Sequence, residues 1–216
     1  MSRLNVFVSY SSQEKIFAGN LKSMLSNFCG YSVFLAHDDL IPSLNFNEGI
    51  IEAIKSCDLF LPIISTHFRQ SEYCDQELGM AIVSNKKIIP IKFDSTNPYG
   101  FLSGSHALRV RSTENDGAQQ IVSEIGILCL KYFRGEINSK AKSSIIFALG
   151  NSAHFKHSNI IIPILCECPE YDQVELNLIT KAIGNNYEIQ GCFALVKLKI
   201  MLEKRYGIEI EQYITN

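Results

Sequence analysis

Ser71-Glu72-Tyr73-Cys74-Asp75-Gln76-Glu77-Leu78-Gly79-Met80-Ala81 lies between two apolar runs, Leu59-Phe60-Leu61-Pro62-Ile63-Ile64 before it and Lys87-Ile88-Ile89-Pro90-Ile91-Lys92-Phe93 after it. Each run has the length of a buried strand and the segment between them is compatible with a helix, so together they predict a βαβ unit with parallel strands. Ser71 is the expected N-cap. Glu72 and Asp75 fall in the first turn, where the helix dipole favours negative charge. Tyr73 and Glu77 share a face, with Cys74, Leu78 and Ala81 forming the adjacent apolar stripe. Glu77 is therefore expected at the edge of a buried face beside an aromatic ring, where a carboxylate must be hydrated, paired or used.

The same alternation extends outward. Leu4–Tyr10 predicts a buried opening strand, followed by the polar turn Ser9-Tyr10-Ser11-Ser12. Ser11 or Ser12 can cap a helix carrying Ile16, Phe17, Leu21, Met24, Leu25 and Phe28, ended by Gly30. Tyr31–Leu35 is the second predicted strand. Asn45 or Asn47 opens a helix with Ile50, Ile51 and Ile54 facing inward. After Phe93, Ala107–Val110 is a short strand and Glu114–Phe133 a helix. Strands alternating with helices predict an α/β fold of the flavodoxin-like, doubly wound parallel class, in which ligands bind outside the carboxyl ends of the strands. The polar stretch Gly135–Lys142 reads as a boundary. Residues 1–134 are expected to form the α/β domain and 143–216 a small, mainly helical C-terminal domain, with Tyr171–Ile183 and Ala194–Tyr206 its clearest helices. Asn159–Cys168 fits either a strand or a buried helix broken by Pro163.

Composition narrows the function classes. Of 216 residues, 46% are hydrophobic and 19% charged, which suits a folded globular chain. A net charge of −2 gives no electrostatic footprint for nucleic acid or an acidic membrane. No apolar run approaches the ~20 residues of a spanning helix, and no signal peptide precedes the first strand. The expectation is a cytoplasmic protein. Seven cysteines without regular spacing fit reduced core thiols.

Several chemistries lack their residues. A phosphate loop needs glycines after the first strand, and Ser9–Gln13 has none. A phosphoacceptor needs a carboxylate at the end of the third strand, where Ile64-Ser65 stands. Gly100-Phe101-Leu102-Ser103-Gly104 has one residue too many for a serine-hydrolase elbow. His37, His67, His106, His154 and His157 have no ligand spacing, so no metal is expected. What remains is a polar rim at one sheet edge: Ser9, Ser11, His37, Asp38, Asp39, Tyr73 and Glu77. Each has an ordinary structural role available, as a cap or a solvated loop residue, and Phe46 is as readily core as a stacking platform. As a set they suit a polar ligand with sugar hydroxyls.

Three boxes in order resemble Toll/interleukin receptor (TIR) domains: Val6-Phe7-Val8-Ser9-Tyr10-Ser11, the loop Phe34–Ser43, and Ser71–Leu78, which is similar to that family's Ser-x-Trp-Cys-x-x-Glu-Leu helix. Ala36–Ser43 and Pro98-Tyr99-Gly100-Phe101 resemble the bacterial branch. The resemblance covers Leu4 to about Phe133 and implies an enzyme that cleaves NAD at the nicotinamide–ribose bond. Its products are nicotinamide and either ADP-ribose or a cyclic isomer, a signal of the kind used in bacterial anti-phage defence. It implies Glu77 as the catalytic residue, with Ser9, Tyr10, Ser11, His37, Asp38, Phe46 and Tyr73 around the substrate. NAD is then a substrate, not a cofactor. Expected partners are other copies of the TIR domain and a downstream effector that senses the product. Tyr73 stands where the family carries tryptophan, and Ser43 where many relatives carry glycine. The alternative is a non-catalytic TIR–TIR adaptor working through His37–Ser43.

Overall fold

The computed structural model describes residues 2–35, 46–112 and 114–214. Strand β1 (Asn5–Ser9) leads through a 3-10 turn into α1 (Lys15–Cys29), followed by β2 (Ser32–Leu35), α2 (Phe46–Ser56) and β3 (Leu59–Ile64). The short α3 (Thr66–Arg69) and α4 (Glu72–Val83) precede β4 (Lys87–Ile88), β5 (Ile91–Lys92) and β6 (Leu108–Arg109). The strands form one parallel sheet in the order β2-β1-β3-β5-β6, with β4 also on β3. Every residue of β3 is buried, as a central parallel strand covered on both faces requires.

The expected strand Lys87–Phe93 is interrupted, and the register gives the reason. β3 pairs Phe60 with Ile88 and, in the same register, Ile63 with Ile91, which sets Pro62 level with Pro90. Neither proline has an N–H to donate, so the ladder breaks at that level and resumes beyond it. Under the sheet Phe7 stacks between Phe34 and Phe60, at ring-centroid distances of 5.4 and 5.3 Å. This stack joins a core with Ile50, Ile54, Phe68, Cys74 and Leu78.

In α1 the buried face is Phe17, Ala18, Leu21, Leu25 and Phe28, whereas Ile16, expected on the inward stripe, is 81% exposed. One residue of offset turns a helix by about 100°, enough to carry Ile16 off the face. Gly30 ends this helix in the left-handed region, at φ +67°.

The chain divides into two compact units: Leu4–Leu25 with Ser32–Glu124, which holds the sheet, and Met1–Arg3 with Ser26–Tyr31 and Ile125–Asn216. The second contains the end of α5 (Asn115–Lys131), from Ile125 onward, and then α6 (Gly135–Gly150), α7 (Phe155–Cys166), α8 (Gln173–Asn185), α9 (Tyr187–Gln190) and α10 (Leu195–Tyr206). The polar stretch Gly135–Lys142, read as a boundary, is the first half of α6. Asn159–Cys168 resolves as helix: α7 carries Pro163 internally. α8 opens with a reciprocal capping box between Asp172 and Glu175. All seven cysteines are buried and unbridged. Among the described residues no helix is long and apolar enough to cross a membrane.

Candidate active site

Parallel pairing brings the carboxyl ends of β1 and β3 to one edge, and α4 starts there. Ser71 caps α4 by accepting from the Cys74 amide at 3.3 Å. Tyr99 donates its hydroxyl to Asp75 in the first turn at 2.5 Å, while the Arg69 guanidinium lies 5.1 Å from the centre of the Tyr99 ring. With its start so fixed, α4 buries Cys74, Leu78 and Ala81. The same face carries Glu77 inward, leaving it 3% exposed.

Ser9, the last residue of β1, donates its hydroxyl to Glu77 Oε2 at 2.5 Å. Glu77 Oε1 is buried and has no hydrogen-bond partner. Burial pushes the Glu77 carboxyl up to about 7, and the Ser9 hydrogen bond holds it back from rising further. Glu77 lines a cleft of about 400 Å³ whose other walls are Ile50 and Ile51 of α2 and Tyr73, Gln76 and Met80 of α4. The site is thus a single carboxylate, half ionised near neutral pH, set among apolar walls with a ring at the mouth. Such a group can accept hydrogen bonds from sugar hydroxyls and stabilise a positive charge that develops beside it.

The structure brings together three of the residues expected from the sequence: Ser9, Tyr73 and Glu77. Tyr73 is 55% exposed. Tyr10 is instead fully buried in the core, and Ser11 is turned to capping, accepting from the Gln13 amide at 3.4 Å. His37, Asp38, Asp39 and the side chain of Phe46 lie outside the described residues.

Ile50, Ile51, Gln76 and Met80 are additional wall residues; the inward stripe of α2 signalled the two isoleucines. A second buried carboxylate, Glu14, gave no sequence signal. Burial raises its pKa, opposed by a hydrogen bond from Ser65 and by the nearby His67. Cys74 lies one turn before Glu77, and burial lifts its thiol to about 11, which leaves no thiolate for nucleophilic chemistry at neutral pH. No group of three or more metal-ligating side chains occurs among the described residues.

Over 95 residues the chain is 34% identical to a probable 2′ cyclic ADP-D-ribose synthase of Brachypodium distachyon, covering 43% of this chain and 42% of that protein. The chain thus spans less than half the length of that relative. Among solved structures, the TIR domain of a Toll-related receptor from Hydra magnipapillata is similar at 23% identity and a TM-score of 0.45, covering 49% of this chain and 83% of that one. The TIR domain family matches residues 6–122, which take in the sheet, α4 and the Ser9–Glu77 pair, and the chain belongs to that family.

Proposed function

We propose that this protein cleaves NAD at the bond between nicotinamide and ribose, with Glu77 as the catalytic residue. The observation that carries this reading is the carboxylate itself: buried, held on one oxygen by Ser9, and unpartnered on the other inside an apolar cleft. As the glycosidic C–N bond breaks, its electron pair leaves with the neutral nicotinamide and the ribose carbon becomes oxocarbenium-like. Ionised Glu77 offsets that charge in a low-dielectric site, and the walls around Tyr73 receive the departing ring. Water attacking the ribose carbon gives ADP-ribose. A hydroxyl or ring nitrogen of the same molecule gives a cyclic isomer, the product class named for the Brachypodium relative. Product released in the cytoplasm then acts on an effector as a nucleotide signal, the role this chemistry has in bacterial anti-phage defence. A purely adaptor role gives no reason to keep Glu77 buried with one oxygen unpartnered.

Incubating purified protein with NAD and resolving the products by chromatography tests the reading. Release of nicotinamide with ADP-ribose or its cyclic isomer is expected, and no nicotinamide at any concentration would sink it. We further propose that copies associate through their TIR domains and that this association completes the site. Specific activity should then rise with protein concentration across a dilution series. Activity strictly proportional to protein, with a monomer at every point by light scattering, counts against the association.

A further inference from the structure

Ser9 is sealed inside the fold, with 0% of its surface exposed. Side chains alternate across a strand, so Ser9 shares a face of β1 with Phe7, which packs in the core with Cys74 and Leu78 of α4. Position 9 is thus a core position, where a hydroxyl is costly unless it is hydrogen-bonded. Its partner is the Glu77 carboxylate, whose Oε2 accepts at 2.5 Å. A serine hydroxyl has one proton, and this one is already taken. Ser9 has neither surface nor proton to offer a dinucleotide in the cleft.

The effect of Ser9 falls on Glu77 instead. Oε2 is turned toward β1 and occupied, while Oε1 has no partner. In the neutral acid the proton therefore sits on Oε1, because a proton on Oε2 would meet that of Ser9. The elements packed around α4 bring no cation to the carboxylate among the described residues. β3 contributes only apolar side chains, and α2 lines the cleft with Ile50 and Ile51. On α3, His67 acts on Glu14, and Arg69 lies over the Tyr99 ring. The acidic groups nearby, Cys74 on α4 and Glu14 in the turn before α1, are themselves raised by burial. Burial opposes the charged form of Glu77, and the Ser9 hydrogen bond favours it.

Resting on the NAD-cleaving reading above, we infer that Ser9 is a positioning residue that never touches the substrate: it aims the Glu77 carboxylate at the ribose and confines its proton to Oε1. Without the hydroxyl, Glu77 keeps its place in the cleft but ionises only at higher pH. The loss is then one of ionised catalyst, and raising the pH restores it.

The test is the pH dependence of kcat and KM for NAD in the parent and in Ser9→Ala. At pH 7 the variant's kcat should be roughly tenfold lower, as expected for losing a hydrogen bond to a charged group. It should climb back toward the parent's value as pH rises, with KM unchanged throughout. A residue that binds substrate would instead raise KM at every pH, and a merely structural one would lower kcat without recovery; either result overturns the inference. Carbon NMR of the Glu77 carboxyl, assigned by its loss in Glu77→Gln, reads the ionisation with no substrate present. Its midpoint should be higher in Ser9→Ala than in the parent, and equal midpoints overturn the inference. If neither protein releases nicotinamide, the NAD-cleaving reading fails, and the NMR titration still decides whether Ser9 governs Glu77. Should Ser9→Ala not fold, the Ser9 Cβ resonance of the parent must titrate together with the Glu77 carboxyl. A Ser9 resonance that stays flat through that titration overturns the inference.

Discussion

Glu77→Gln is expected to abolish NAD turnover and, above neutral pH, to raise the melting temperature. Glutamine keeps the size of the side chain and an oxygen that can accept from Ser9, but it cannot carry the charge that faces the developing cation. Removing an electrostatic contribution of this kind costs about 10²–10³ in rate. The stability effect has the opposite sign. The carboxyl ionises at about 7 in the folded chain, against 4.5 without burial. Between those values the unfolded chain has already released a proton that the folded chain retains, so stability falls as pH rises through the window and the full cost stands above about 7. The variant carries no such cost. Relief on the order of 1–3 kcal/mol corresponds to a Tm rise of ~2–4 °C per kcal/mol for a chain of this size. The gain should be present at pH 8 and absent near pH 4. In the parent, the rate should climb with pH through about 7, as ionised Glu77 accumulates. Chromatography of NAD reactions and melts followed by circular dichroism give both answers. A folded variant that turns over NAD at the parent rate refutes the catalytic assignment, and identical melts at pH 8 refute the cost of burial. The pairing of lost activity with gained stability would mark a site maintained against the interests of the fold.

Gly30→Ala is expected to destabilise the chain by about 3 kcal/mol, through two costs at one residue. Gly30 has φ +67°, where a Cβ costs roughly 1–2 kcal/mol. A Cβ there would also lie 2.2 Å from the carbonyl oxygen of Ser144, which belongs to the backbone of α6 and cannot rotate away. Forcing atoms into a packed interior typically adds 1–3 kcal/mol. Chemical denaturation should show the midpoint falling with the slope unchanged. A loss below about 1 kcal/mol would mean that the left-handed cap and the close approach to α6 are not both present in solution.

Much of the sheet was legible because buried parallel strands read as continuous apolar runs, and the start of α4 because Ser71 and the acidic first turn announce a helix. Glu77 was legible as a carboxylate on the margin of an apolar stripe. Its partner was not: Ser9 lies 68 residues away and equally suits a helix cap. Only the adjacency of β1 and α4 decides between the two. Glu14 was missed for a related reason, since it sits in the polar string Ser11-Ser12-Gln13-Glu14-Lys15 and its burial depends on Ser65 and on the turn that precedes α1. The break between β4 and β5 required the register, because Pro90 matters through its alignment with Pro62. Pro163 pointed away from helix, yet the apolar run around it packs well enough to hold α7 together.

The seven sheltered cysteines equip the chain with its own chemical clock. A thiol reacts with an alkylating or disulfide reagent only when deprotonated and reachable, and burial denies both: Cys57, Cys74 and Cys166 are pushed up to about 11 and Cys129 to about 12. In the native protein the labelling rate is therefore set by transient opening, and its dependence on denaturant reports the free energy of each opening. Cys57 and Cys74 lie in the unit that holds the sheet, and the other five in the helical unit. Mass spectrometry of peptides after timed labelling should thus give two protection curves from one experiment. Coincident curves would mean that both units open as a single cooperative body; separated curves would rank them and show which yields first.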